Sequence, residues 1–117
     1  MINLEALGYK HWETDTNDFG HTDKFQKRMD SIEKYKDFPL CCTNDKIHLN
    51  IDYGVIDIHG KEHSSYNFKI TQEANEIWCN LEIYGLSEET LTQYGVDEFE
   101  DRMMEMWKQF YFLQYQI

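Results

Sequence analysis

The most constraining feature of this sequence is a set of three segments in which apolar and polar residues alternate. A period of two puts successive side chains on opposite faces of a β-strand, as expected for strands with one buried face. The connections between the segments are short and contain turn residues, so neighbouring strands are expected to pair antiparallel in a meander. The three segments are 47–53, 66–70 and 77–84, with a turn at 59–61.

Helical periodicity replaces this alternation towards the C-terminus. Ser87 is a favourable N-cap for a short helix, which Gly95 is expected to end. Asp97 and Glu100 then resemble a capping box, although that motif has Ser or Thr at the cap. A long helix is predicted to follow and to pack across the sheet. Its apolar residues, spaced by four and three, are Phe99, Met103, Met106, Phe110 and Leu113.

A weaker helical pattern lies nearer the N-terminus. Thr22 or Asp23 is a suitable N-cap, and an apolar stripe begins at Phe25. The stripe continues at i+4 and i+7 with Met29 and Ile32. This spacing predicts an N-terminal helix of about 13 residues.

Together these elements predict one domain of the α+β class over residues 1–117. We expect an antiparallel β-meander of three to four strands packed by the long C-terminal helix. One N-terminal helix and a short helix before the last one complete the predicted fold. A chain of 117 residues has room for one core, and its 41% hydrophobic content is enough to fold it.

Cysteine usage and targeting signals bear on the compartment. Cys41, Cys42 and Cys79 give no disulfide framework, because their number is odd and two are adjacent. No segment approaches about 18 consecutive apolar residues, and the first residues lack the regions of a signal peptide. The sequence therefore predicts a cytoplasmic protein.

Two sets of residues contain side chains that can bind metal ions, but neither set has the spacing that a metal site requires. The run from Asp15 to Gly20 resembles a calcium loop, but Phe19 and Gln26 stand where an EF-hand needs oxygen ligands. A turn in which Asx side chains bond their own backbone is expected instead. Adjacent cysteines likewise do not have the Cys-x₂-Cys spacing of zinc sites, so buried thiols are expected. This second set is Cys41, Cys42, His59 and His63, and no metal or cofactor is predicted.

Catalytic motifs are missing from the sequence. It contains no nucleophile elbow, phosphate-binding loop or dinucleotide-binding glycine motif. Cys41 or Cys42 with His48 would form a nucleophile and a base, but nothing in the sequence fixes the imidazole tautomer. Carboxylate pairs arise by composition in a chain with 22 acidic residues. We therefore predict that the protein is not an enzyme.

Charge provides the main indication of a partner. The formal net charge of −11 repels nucleic acids and anionic lipids, and it favours a basic protein partner. Residues 88–101 contain six acids and no base. We predict a partner-binding surface here, with a solvated face that keeps the protein soluble as the alternative. The predicted residues are Glu88, Glu89, Asp97, Glu98, Asp101 and Glu105.

The last helix has more apolar residues than one packed face requires. A second copy of the chain would cover the remainder, so a homodimer is a further prediction. Met-rich, aromatic surfaces also suit other protein partners. The residues assigned to self-association are Trp107, Tyr111, Phe112 and Tyr115.

Three functions fit these features. The preferred one is a non-enzymatic acidic inhibitor or immunity-type protein that occludes the basic surface of a nucleic-acid-processing enzyme. Anti-restriction, anti-CRISPR and antitoxin-like proteins of phages or mobile elements have this general character. The second is a protein–protein interaction or assembly module that uses the aromatic C-terminal helix. The third is a small ligand-binding domain or enzyme, with a site lined by Trp78, Tyr84 and Trp107.

Overall fold

The structure, a computed structural model, describes residues 2–28, 47–74 and 77–115. In this part of the chain five strands form one antiparallel sheet in the order β1-β2-β3-β4-β5, followed by two helices. The α+β class and the antiparallel meander are therefore confirmed, with five strands instead of three to four. The elements are a 3-10 turn at Glu5–Leu7, β1 at Lys10–Asn17, β2 at Gly20–Arg28, β3 at Ile47–Ile58, β4 at Lys61–Ala74, β5 at Ile77–Leu86, α1 at Glu88–Tyr94 and α2 at Val96–Tyr115.

The first part of the predicted N-terminal helix is wrong, because β2 occupies it. Phe25 is buried, but as a strand residue paired with β1 and β3. Asp23 and Lys27 share its face of the sheet, so β2 shows no alternation of apolar and polar residues. Pairing on both sides outweighs the weak helical pattern of the segment. Met29 and Ile32 lie outside the described residues.

Two of the hairpins, β1–β2 and β3–β4, have tight turns between their strands. In the β1–β2 turn, Asn17 Oδ1 accepts hydrogen bonds from the backbone N–H of Phe19 (2.8 Å) and Gly20 (3.0 Å). This is the Asx turn expected in place of a calcium loop. In the β3–β4 turn, His59 and Gly60 have φ values of 53° and 78°, which suit a two-residue hairpin turn.

One face of the sheet carries the hydrophobic core, and α1 and α2 cover it. The buried strand residues on this face are Phe25, Leu49, Ile51, Tyr66, Phe68 and Ile70. The helical residues buried against them are Leu91, Val96, Phe99, Met103, Met104 and Trp107. The opposite face, called the polar face below, is defined by the strand register. It includes Lys10, Lys24, Gln26, Arg28, His48, Asn50, Asp52, Lys69 and Glu82.

The buried stripe of α2 differs from the predicted one in its second half. Phe99 and Met103 are buried as predicted, but Met106 is 41% exposed and Trp107 is 1% exposed. At about 100° per residue, the buried residues Val96, Met104 and Trp107 place the centre of the packed side beyond Met103, so Phe99 lies at its edge. Met106 lies about 20° past Phe99 on the other side, outside this packed region. The side chains of Phe110 and Leu113 lie outside the described part.

The close approach of β2 to β3 at Gly20 generates a test of the fold. A Cβ atom added there would lie 1.8 Å from the carbonyl oxygen of Val55, so the backbone would have to move. We expect Gly20→Ala to lower the free energy of unfolding by about 1–3 kcal/mol. Urea denaturation monitored by circular dichroism measures this change.

Gly54→Ala is the matched control, because the added Cβ would lie 3.7 Å from Thr22 Oγ1, which is an ordinary contact. We expect it to change the free energy of unfolding by less than about 1 kcal/mol. Equal losses in the two variants would contradict the close approach at Gly20.

Candidate partner-binding surface

The predicted partner-binding acids lie on α1 and α2, and local interactions fix where both helices start. Ser87 Oγ accepts a hydrogen bond from Thr90 N at 3.1 Å, which is the predicted N-cap of α1. Gly95 ends α1 with a φ of 88°, and its N–H donates to the carbonyl of Leu91 at 2.8 Å. This conformation suits glycine and lets α2 begin at the next residue, Val96.

The side of α2 that faces away from the sheet is acidic. Asp97, Glu98, Asp101 and Glu105 are exposed there, and Glu88 and Glu89 lie in the first turn of α1. We call these six residues the acidic helical surface. Within 88–107 the only basic residue is Arg102.

Arg102 offsets the charge of the acidic helical surface only in part. Its Nε donates to Glu98 Oε1 at 3.1 Å, in an exposed pair four residues apart. Such surface pairs contribute little to stability. Within the described residues no basic group forms an ion pair with Glu89, Asp97 or Glu105. The surface therefore keeps a surplus of negative charge.

Glu100 does not belong to this surface, although it lies within the same run of acids. Its Oε1 accepts hydrogen bonds from the Tyr9 hydroxyl and from Lys27 Nζ, each at 3.0 Å. Lys27 Nζ also donates to the carbonyl of Leu7 at 3.0 Å and lies 4.3 Å from the centroid of the Tyr9 ring. The Lys27 and Glu100 side chains are only 10% and 8% exposed. This ion pair joins α2 to β2 and to the N-terminal segment.

Three acids of the sheet, Glu13, Asp15 and Glu82, lie close to lysines. Lys24 Nζ lies 2.9 Å from Asp15 Oδ2 and 3.4 Å from Glu13 Oε2. The hydrogen bond to Asp15 is the largest cause that raises the pKa of Lys24. Lys69 Nζ lies 3.6 Å from Glu82 Oε1 on the same face. The five strands contain eight acids and six bases, whereas α1 and α2 contain seven acids and two bases, so the excess of negative charge is larger on the helices.

A cluster of polar side chains joins β1 to β2 on the core face, beyond the helices. Thr14 donates to Asp23 Oδ1 at 2.7 Å, and His11 Nε2 lies 2.8 Å from Thr14 Oγ1. His11 and His21 Nε2 atoms lie 3.6 and 3.7 Å from the two Asp23 oxygens. The sequence did not indicate this cluster, because it depends on the strand register. It stabilises the hairpin as a set of cross-strand contacts.

The other residues considered as sites are dispersed or lie outside the described part. His59 is in the β3–β4 turn and His63 in β4, both exposed, whereas Cys41 and Cys42 are not described. His48 lies in β3, on the polar face. Among the described residues no group of three or more His, Cys, Asp or Glu side chains could hold a metal ion.

Of the aromatic residues of α2 that were assigned to self-association, only Trp107 has a described side chain. Trp107 is part of the core of its own chain, not of an exposed surface. The side chains of Tyr111, Phe112 and Tyr115, like that of Trp78, lie outside the described part. Tyr84 is 67% exposed, so it and the buried Trp107 do not share an accessible surface.

Comparison with protein-family models, with curated proteins and with solved structures gave no match for this chain. In the described part, no helix has the length and apolar character needed to cross a membrane.

The buried ion pair generates a prediction about stability. Glu100→Ala leaves Lys27 buried without its carboxylate, so we expect a loss of about 3–5 kcal/mol in the free energy of unfolding. Glu100→Gln keeps an acceptor for Tyr9 and Lys27 and is expected to lose less. Glu105→Ala, on the exposed side of the same helix, is the control and should change stability by less than about 0.5 kcal/mol. Chemical denaturation would contradict this role of Glu100 if all three variants were equally stable.

Asp52 generates a prediction about pH. Burial raises its pKa above 3.8, and the attraction of Lys24 and Lys69 only partly opposes this shift. The folded protein therefore binds this proton more tightly than the unfolded chain does. The ionised carboxylate destabilises the fold above the raised pKa, and this cost disappears as the pH falls below 3.8.

We expect Asp52→Asn to raise the Tm by a few degrees at neutral pH and to leave it unchanged near pH 3. Asp57→Asn, at an exposed position of the same strand, is the control and should have no effect at either pH. Differential scanning calorimetry measures both variants. A lower Tm for Asp52→Asn at neutral pH would mean that attraction to the two lysines exceeds the cost of burial.

Proposed function

We propose that this protein is a non-enzymatic acidic inhibitor or immunity-type protein that binds the basic surface of a nucleic-acid-processing enzyme. The observation that carries the proposal is the distribution of charge. The five strands contain nearly balanced charges, eight acids and six bases, whereas α1 and α2 contain seven acids and two bases, and six of those acids form the acidic helical surface. The proposed binding surface is the outward side of α1 and α2.

Four acids of the acidic helical surface lie in the first turns of α1 and α2, where carboxylates suit the helix dipole, but the spacing of the acids along α2 also brings like charges together. Asp97 and Asp101 are four residues apart on α2, as are Asp101 and Glu105. Like charges at this spacing destabilise a helix by about 0.2–0.5 kcal/mol per pair. A cationic partner would relieve this repulsion, which supports a binding role for the surface.

The enzyme class follows from the chemistry of the surface. A groove that holds nucleic acid is lined by lysine and arginine, which neutralise phosphates. Carboxylates fixed on a helix are attracted to the same groove and compete with the nucleic acid for it. The net charge of −11 keeps the protein itself from binding nucleic acid. Occlusion of the groove requires no catalytic group, in agreement with the prediction that the chain is not an enzyme.

Exposed amphipathic side chains next to the acids supply contact area. Tyr94 is more than half exposed at the end of α1, and its ring stands edge-on to Phe99 at 6.5 Å between centroids. Met106 is also exposed, beside Glu105 on α2. Aromatic residues and methionine are enriched at interfaces, whereas surrounding charges mainly increase the rate of association and select the partner. We therefore assign the contact area to Tyr94 and Met106, and the rate and selectivity of association to the acids.

The proposal is tested by charge reversal on the helices. Immobilised wild-type protein should retain a nucleic-acid enzyme from a lysate of the encoding organism, and should displace DNA or RNA from that enzyme. The triple variant Glu98→Lys, Asp101→Lys, Glu105→Lys is expected to compete at least about tenfold less well, because charge-paired contacts are lost. Competition measured at two salt concentrations should weaken with salt.

The matched control reverses three exposed acids at the far end of the hairpins, Asp18→Lys, Asp57→Lys and Glu62→Lys. It changes the net charge by the same amount and should compete as the wild type does. Equal losses in the two triple variants would show that only net charge matters, and no displacement of nucleic acid by the wild type would refute the proposal.

A further inference from the structure

A hollow of about 350 Å³ lies beside β1, lined mainly by residues of the polar face and also by Gly8 and Lys27. Its wall includes Lys10, Trp12, Gln26, Arg28 and His48. The volume is at the lower end of the range for small-molecule sites, which is about 300–1,000 Å³. The hollow is therefore large enough for one small ligand.

Strand register brings these side chains together. Lys10 lies opposite Gln26, and Arg28 lies opposite His48, so all four project from the polar face. The register between β1 and β2 shifts between His11 and Glu13, which makes Trp12 the extra residue of a β-bulge. Its indole is 53% exposed and borders the hollow, and Lys24 Nζ lies over the ring at 5.5 Å from the centroid.

The hollow is locally cationic in a strongly acidic chain. Its wall contains Lys10, Lys27 and Arg28 and, among the described residues, no carboxylate. Of these three, Lys27 is already paired with Glu100. The nearest acids of β1, Glu13 and Asp15, are held by Lys24. Arg28 and His48 also make contacts elsewhere in the chain. A guanidinium has five N–H donors, so such a contact leaves Arg28 able to bind an anion as well.

A neighbouring hydrogen-bond network fixes the amide of Gln26. Its Nε2 donates to Asn50 Oδ1 at 3.1 Å, and Asn50 Nδ2 donates to Thr71 Oγ1 at 3.0 Å. This arrangement leaves Gln26 Oε1 as an acceptor at the wall of the hollow. The hollow thus combines an aromatic side chain, three cationic side chains, of which Lys27 is paired with Glu100, and one oriented acceptor.

We propose that this hollow binds a mononucleotide. The base stacks on Trp12, because every base has a π-face that an exposed indole can accept. The phosphate is bound by Lys10 and Arg28 through charge-assisted hydrogen bonds, and Gln26 Oε1 accepts from a hydroxyl or amino group. A long nucleic acid is disfavoured, because the net charge of −11 repels a polyanion. Lys10, Gln26 and Arg28 lie on the polar face, away from the acidic helical surface, and the proposal does not depend on the proposed function.

Isothermal titration of the full chain with AMP, GMP, CMP and UMP tests the proposal. At least one nucleotide should bind at least about tenfold more tightly than its nucleoside and than ribose 5-phosphate, since both base and phosphate contribute. Binding of none of the four at concentrations up to about 5 mM would overturn the proposal. Equal affinity for ribose 5-phosphate would overturn it as well, because the base would then make no contact.

Variants locate the site. Lys10→Glu is expected to weaken nucleotide binding at least about tenfold, and Trp12→Ala about fivefold or more, whereas Trp12→Phe keeps a stacking ring and most of the affinity. Lys61→Glu, an identical charge change at an exposed lysine beside the β3–β4 turn, is the control and should leave binding unchanged. Equal losses for Lys10→Glu and Lys61→Glu would show non-specific attraction and would overturn the assignment. Thermal melts of each variant verify that it is folded.

Discussion

The buried ion pair between Lys27 and Glu100 is the contact on which the position of the helical layer depends. Hydrophobic packing is non-directional, so the apolar stripe alone allows α2 to rotate or slide over the sheet. A buried charge pair is stable only with good geometry and further hydrogen bonds, which the Tyr9 hydroxyl and the Leu7 carbonyl supply. We infer that this requirement fixes the rotation of α2, and with it the outward direction of Asp97 and the neighbouring acids.

The sheet could be predicted from the sequence only where one face of a strand is apolar. Leu49 and Ile51 in β3, like Phe68 and Ile70 in β4, alternate with polar residues and are buried as expected. Strand β1 is mostly exposed on both faces, and β2 has Phe25 as its only buried residue. An edge hairpin of this kind has no amphipathic period, and its pairing depends on contacts with the rest of the sheet. This explains why a helix was predicted in its place.

The candidate sites differ in how far a sequence can indicate them. Six acids in a short run are visible without a structure, because they are close in the chain. Glu100 can be told apart from the exposed acids only if its position around the axis of α2 is known. Its spacing of four residues from Val96 and three from Met103 indicates that it lies on the buried side. The hollow could not be predicted, because Lys10 and His48 are distant in sequence. They become neighbours only through the register of three strands and an extra residue in β1.

A cationic hollow and a net charge of −11 are compatible because charge acts over a limited distance in salt. At physiological ionic strength the Debye length is about 8 Å. Lys10 and Arg28 project from the polar face of the sheet, whereas the acids of the acidic helical surface face away from the sheet on its other side. A small anion at Lys10 therefore experiences mainly the nearest groups, including Glu13 and Asp15, which Lys24 neutralises. A large basic protein that approaches α2 contacts the acids directly. The hollow can thus select a small anion, and the acidic helical surface can select a basic protein.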